Sequence, residues 1–265
     1  MSQTTAAAPQ VSGRMFLFER PELLNREQHG HLGMRRIDKP FAFCAKARAI
    51  PLTFSEILTA SKHYPIVFTG DKDIVPVAVV GVIEDINLYV DDQGMWEQDA
   101  YIPGYIRRYP FALATETGGE RVAMVIDMAF PGVTPQGEVA LFDKGEPSEQ
   151  TRSAIEFCRQ YEGDRRTTET LMKQLEAYQL IVGQTAQYTA PGATEAQPFA
   201  QYFGVDEQRL NNLHDEKFIE LRRSGILPIL YGQLMSLGNW RHLLSRRARR
   251  FNLTGDAILK PLNRS

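Results

Sequence analysis

The sequence predicts an α+β fold, with a β-rich N-terminal half forming an antiparallel sheet or partial barrel and a helical C-terminal half. Two observations carry that expectation. From Pro51 to Pro147, Gly and Pro punctuate short runs rich in Val, Ile, Phe and Tyr, the pattern of strands joined by tight turns. Beyond Ser148, apolar residues recur at helical spacing behind capping residues. At 265 residues with 43% hydrophobic and 23% charged content, the chain is long enough for a substantial core and is ordinary for a globular protein. It divides into a tail over 1–14, a β-rich region over 15–146 and a helical region over 147–265, read together as one continuous folded domain after the tail.

Taken in order, residues 1–14 are mostly Ser, Thr, Ala, Pro and Gln, and read as a mobile tail. They hold neither a basic n-region nor an apolar h-region, so a cytoplasmic location is expected, with signal-independent export to the cell surface left open. Pro65 to Thr69 and Val75 to Ile83 read as strands, the second too continuously apolar to be half exposed. Asn87 to Val90 meets the turn signal Asp91-Asp92-Gln93-Gly94 before Met95-Trp96. Arg121 to Met128 is a further strand, entered through Gly118-Gly119.

In the second half, Ser148 is positioned to cap a helix running to Tyr161, and Thr167 or Thr168 to cap a second carrying Leu171, Met172, Leu175 and Tyr178. Gly183 to Ala200, low in charge and rich in Ala, Thr, Gln, Gly and Pro, reads as a long loop. Asp206 then caps a helix with Leu210 and Leu213. The next, around Phe218 and Leu221, stops at Gly225 in left-handed geometry. Ile226 to about Arg250 forms a last long helix with a kink expected at Pro228.

Charge and motif content narrow the function classes. Thirty basic against 32 acidic residues give a net charge of -2, which offers nucleic acid no general attraction. No P-loop, dinucleotide fingerprint or nucleophile elbow occurs, and the two cysteines read as small buried hydrophobes. His29 and His31 are the one closely spaced histidine pair; on an extended chain they would face the same side, with His63 as a distant third ligand. With Leu32 to Arg36 following in place of a carboxylate ligand, they read as a surface loop, and no metal or other cofactor is expected. The uncharged stretch from Ser224 to Trp240 carries Pro228, Gln233, Ser236 and Asn239 and reads as a buried helix with a basic end, so no transmembrane segment is expected. Peripheral contact of its arginines with anionic lipid is the alternative.

The densest unusual composition is Trp96 to Phe111, WEQDAYIPGYIRRYPF. Its aromatic rings can stack guanidinium groups or a ligand, and its prolines stiffen the segment, so Trp96, Tyr101, Tyr105, Arg107, Arg108 and Tyr109 are the candidate binding residues. A structural corner, with tyrosines packed at a sheet rim, is the competing reading. Catalytic residues are not assigned.

That segment belongs to an ordered series. Tyr64 to Phe68, Asn87 to Asp91 with Gly94 and Trp96, Tyr101 to Phe111, Leu141-Phe142, Gly145 to Ser148, Val205 to Glu207 with Leu210, and Leu230-Tyr231 to Leu237 resemble the bacterial SapC family. The resemblance implies a link to a bacterial surface layer or to outer-membrane uptake systems, with TonB-dependent receptors, flavin-dependent tryptophan halogenases and cupin-like proteins as neighbours of family members. It supplies no catalytic residue set. The expectation is therefore a binding or assembly factor for a protein, peptide or carbohydrate partner. A metal-dependent oxygenase, or an accessory protein in a halogenase or TonB-receptor pathway, is the alternative.

Overall fold

A computed structural model describes residues 15–115, 122–190, 192 and 194–262. The expected tail and Gly118-Gly119 lie outside them. In chain order the strands are β1 (Pro21–Leu23), β2 (Gly33–Met34), β3 (Ala49–Pro51), β4 (Ile66–Phe68), β5 (Pro76–Val79), β6 (Phe111–Thr115), β7 (Val122–Asp127), β8 (Val133–Thr134), β9 (Val139–Ala140), β10 (Phe142–Asp143), β11 (Glu146–Pro147), β12 (Ile181–Tyr188) and β13 (Gln197–Val205). The helices are α1 (Arg26–His29), α2 (Ile57–Ala60), α3 (Gly104–Arg107), α4 (Glu149–Glu176), α5 (Glu207–Asn211), α6 (Asp215–Ser224), α7 (Ile226–Ser236) and α8 (Asn239–Phe251). The fold is α+β with antiparallel pairing throughout its ladders.

The chain is organised as two interleaved compact units, one from Met1–Phe43 and Arg108–Glu162, the other from Cys44–Arg107 and Gly163–Ser265. In the first, a sheet of order β1-β7-β6 is accompanied by a small sheet β8-β2-β9 and the hairpin β10-β11. Phe111 and Ile126 are register partners across β6 and β7, and they share a buried cluster with Leu32, Leu141 and Cys158. Gly137 lies so close to β2 that a Cβ there would sit 2.1 Å from the Gly33 carbonyl carbon, which explains a residue without a side chain at this crossing.

The second unit is built on a five-stranded sheet of order β12-β13-β4-β5-β3. Every residue of β4 and β5 is buried, as expected for strands without alternating polarity. β13 and β4 are paired in register only at Phe203 and Phe68. Helix α7 completes the join. Buried Gln233 accepts from the Val205 N–H at 3.1 Å and donates to the Ile66 carbonyl at 3.1 Å, while Ser236 Oγ accepts from the Ile66 N–H at 2.9 Å. Two polar side chains on a largely apolar helix thus satisfy backbone groups that a full ladder would otherwise have paired.

Several local expectations hold. Ser148 Oγ accepts from the Thr151 N–H at 3.3 Å and caps α4, and Asp206 Oδ1 accepts from the Arg209 N–H at 3.0 Å and caps α5. Gly225 ends α6 at φ 80°. Three others are corrected. Helix α4 runs unbroken for 28 residues, because Thr167 and Thr168 turn their hydroxyls back onto the Gly163 and Asp164 carbonyls instead of capping a new helix. Gly183 to Ala200 is not one long loop: Gly183 to Tyr188 and Gln197 to Ala200 belong to the paired strands β12 and β13, whose neutral Gln, Thr and Ala side chains suit a half-exposed sheet surface. The last helix breaks between Ser236 and Asn239, not at Pro228, which sits harmlessly in the first turn of α7.

Candidate functional site

The candidate site is built around Tyr109 in the first unit. β7 ends at Asp127, whose N–H donates to the Pro110 carbonyl at 2.9 Å, bringing the end of the YIPGYIRRYPF segment against that carboxylate. Asp127 is fully buried and receives four donors: the N–H groups of Glu19 at 3.0 Å, Arg20 at 2.9 Å and Ala129 at 3.0 Å, and the Tyr109 hydroxyl at 3.0 Å. A buried carboxylate satisfied in this way fixes what it holds, because losing any partner leaves a desolvated group unpaired.

Fixed by its hydroxyl, the Tyr109 ring becomes the centre of an aromatic cluster. It stacks on Phe43 with centroids 3.7 Å apart and planes at 12°, and meets Phe18 and Phe130 edge-on, each at 5.3 Å. Tyr109, Phe43 and Phe130 form one wall of an open cavity of about 760 Å³, within the range of small-ligand sites. Arg35, Arg36 and Lys39 line it together with Glu19 and Asp38. Arg35 and Arg36 are exposed, and the Arg35 N–H bonds to the Gly132 carbonyl at 2.9 Å, which ties that edge of the cavity down. Rings with a cationic margin can accept a ligand that has an apolar body and a negative charge.

A scan against family models matches SapC over residues 24–243. The chain belongs to the SapC family. The matched SapC region includes Tyr109 and the cavity lining from Arg35 to Pro131, and stops before Arg246. No curated protein and no solved structure matches the chain.

The other candidate binding residues of this SapC chain are distributed differently. Arg108, in the same unit as Tyr109, is buried with its guanidinium 4.7 Å above the Tyr161 ring. Trp96, Tyr101, Tyr105 and Arg107 belong to the second unit. Trp96 and Tyr105 are buried, and the Trp96 ring stacks near Tyr89 at 6.3 Å. Tyr101 and Arg107 are brought together: Arg107 donates to the Tyr101 hydroxyl at 3.1 Å and lies 5.6 Å from its ring centroid. The Tyr101 hydroxyl itself donates to Glu56 Oε1 at 2.9 Å. Buried Glu56 also receives the Gly104 N–H at 2.5 Å, and its second oxygen receives the Thr53 N–H at 2.9 Å. Burial, and then the Glu56 charge, push the Tyr101 phenol up to about 12. One buried carboxylate therefore shapes each end of the aromatic segment, Glu56 at Tyr101 and Asp127 at Tyr109.

The remaining sequence candidates also have places. His29 is in α1, not on an extended strand; it is buried, accepts from the Asn25 N–H at 3.2 Å, and has Nε2 3.4 Å from Glu22. His31 is exposed. Among the described residues no group of three or more His, Cys, Asp or Glu is arranged to hold a metal ion, and no helix is long and apolar enough to cross a membrane. Cys44 and Cys158 are buried, as expected. Burial raises the Cys44 thiol to about 12 against its hydrogen bonds, and the Cys158 thiol to about 11 against the Arg108 charge.

The cavity at Arg35 and Arg36 was not legible in the sequence, since adjacent cations after a histidine pair carry no periodic signal. The arginines of α8, expected as the basic end of a buried helix, are largely engaged in contacts within the fold. Arg250 donates to the Asn87 and Val90 carbonyls at 3.1 and 2.7 Å, and Arg247 is wholly buried.

Proposed function

We propose that this SapC-family chain is a binding or assembly protein, that the cavity at Tyr109 is its recognition site, and that the ligand is an acidic peptide segment presenting an apolar side chain. One observation supports this above all: a tyrosine anchored on a buried carboxylate forms the wall of an open cavity whose margin carries Arg35, Arg36 and Lys39. A pre-positioned ring loses little entropy on binding, and the exposed cations add attraction that salt weakens. The surface layer and outer-membrane uptake systems associated with the family resemblance provide the setting in which such a partner is sought.

The test is fluorescence anisotropy with short labelled peptides that differ only in acidic content and in the presence of one aromatic residue. The acidic aromatic peptide should bind tightest, lose affinity with added salt, and bind at least about tenfold more weakly to the Arg35→Ala/Arg36→Ala variant, a loss of about 1.4 kcal/mol. Equal binding of acidic and neutral peptides, or unchanged affinity in the variant, would defeat the proposal.

A further inference from the structure

A second basic cavity, in the other unit, points to a different ligand chemistry. It has a volume of about 380 Å³ and is lined by Lys62, His63, Asn239, His242, Ser245, Arg246 and Arg249, without a carboxylate. His242, Ser245, Arg246 and Arg249 follow the i, i+3, i+4, i+7 spacing that places side chains on one face of α8. Lys62 and His63 come from the turn between α2 and β4. Asn239 fixes that turn to the start of α8, since its Nδ2 donates to the Ser61 carbonyl at 2.7 Å and to the Tyr64 carbonyl at 3.0 Å. The cationic groups are consequently presented from two rigidly joined elements.

Their charge is only partly compensated. Arg246 pairs with Glu97 at 2.9 Å and lies 4.4 Å over the Tyr89 ring, so its guanidinium is held in place. Lys62 and Arg249 are exposed and have no carboxylate within ion-pair distance among the described residues. The field at His63 is correspondingly positive: burial and then the charges of Lys62 and Arg246 lower its imidazole below the usual range. Such a site rewards a ligand that carries more than one negative charge and several acceptor oxygens.

We propose that this cavity binds a phosphate monoester dianion. Lys62 and Arg249 supply charge, His63, His242 and Ser245 supply donors, and Arg246, held by Glu97 and Tyr89, adds a fixed guanidinium. The ligand group is the same whether it belongs to a soluble phosphorylated molecule or to a monoester lipid headgroup. The site lies apart in sequence from the Tyr109 cavity and stands or falls independently of it.

The test follows the histidine imidazole resonances of the full chain by NMR during titration with inorganic phosphate at constant ionic strength, with parallel sedimentation on phosphatidylcholine vesicles with and without phosphatidic acid. His63 and His242 resonances should move saturably while His29 stays fixed. The Lys62→Ala/Arg249→Ala variant, altered at exposed positions, should bind at least about tenfold more weakly, a loss of about 1.4 kcal/mol. Arg222→Ala/Arg223→Ala, which removes equal charge from α6, should bind as the parent does. Sedimentation that depends on phosphatidic acid identifies a lipid source, and saturable shifts without sedimentation identify a soluble one. Absence of both responses overturns the proposal. So do saturable shifts that the Lys62→Ala/Arg249→Ala variant retains in full, or that Arg222→Ala/Arg223→Ala weakens equally.

Discussion

The Arg247 guanidinium grips the Glu84 carboxylate with two parallel hydrogen bonds, Nε to Oε2 at 3.0 Å and a terminal nitrogen to Oε1 at 2.6 Å. Arg247 is wholly buried, and its remaining donors reach the carbonyls of Ile258 and Lys260. The Leu262 N–H also donates to Glu84 Oε1, at 2.9 Å. A helix side chain, a loop carboxylate and the segment around the 3₁₀ turn Gly255–Leu259 are thereby tied together. Removing Glu84 leaves the wholly buried Arg247 charge unpaired, so Glu84→Ala should cost about 3–5 kcal/mol in urea unfolding, and Arg247→Met, which leaves the partly exposed Glu84, should cost less. Changing both together should cost much less than the sum.

The same pair sets an acid limit. Burial alone would raise the Glu84 carboxyl, but hydrogen bonds from Arg247 and the Leu262 N–H, with the Arg247 charge, outweigh it and hold the group below 4.5. The unfolded chain therefore binds this proton first. The stability gained is complete above about 4.5 and is lost as pH falls through the lowered value. Chemical unfolding of the parent and Glu84→Gln between pH 7 and 3 should show a steeper loss in the parent; parallel curves would refute the linkage.

Gln233 offers a separate test of how the five-stranded sheet is held. Gln233→Leu keeps comparable bulk but abandons the Val205 N–H and the Ile66 carbonyl, two buried backbone groups. The expected loss is about 2–6 kcal/mol, from about 1–3 kcal/mol per unpaired group. Hydrogen exchange at Val205 should accelerate far more than at Ala78, in the interior of β5. Equal acceleration at both would mean that the side chain merely fills space.

Much of this architecture was legible locally and little of it at longer range. Ser148, Asp206 and Gly225 announce their helix ends because caps act over three or four residues. The continuous apolar runs of β4 and β5 announce burial on both faces. The β12–β13 hairpin was not legible, because its Gln, Thr and Ala residues resemble a loop until a partner strand exists. Thr168 could be read as a cap because a sequence does not show which carbonyl a hydroxyl will choose. Of the candidate binding segment, Tyr109 lines an open cavity whereas Trp96, Tyr105 and Arg108 are buried, and the cations beside Tyr109 come from residues 35–39. Ring-rich spacing marks a site of dense packing, and only the pairing of β6 with β7 decides which ring faces the cavity.

The two cysteines should be chemically silent in the folded protein. With the Cys44 thiol raised to about 12 and Cys158 to about 11, almost no thiolate exists at pH 8, and burial also blocks access. Ellman's reagent should titrate no thiol in the native protein and both cysteines in urea. Rapid labelling of one thiol without denaturant would show local opening near that residue.

Asp127 and Tyr109 allow the scaffold of the proposed recognition cavity to be separated from its contact surface. Asp127→Ala strands three backbone N–H groups and the tyrosine hydroxyl, so it should cost at least about 4 kcal/mol at about 1–3 kcal/mol per group. Tyr109→Phe removes one bond to a charged acceptor and should cost about 1.5–3 kcal/mol. It leaves the ring itself, and its stacking on Phe43, in place. Acidic-peptide affinity should therefore change little in Tyr109→Phe, whereas Tyr109→Ala should reduce it by at least about tenfold, a loss of about 1.4 kcal/mol. If Tyr109→Phe abolishes peptide binding while thermal unfolding remains near that of the parent, the hydroxyl contacts the ligand directly and the role assigned to Asp127 is wrong.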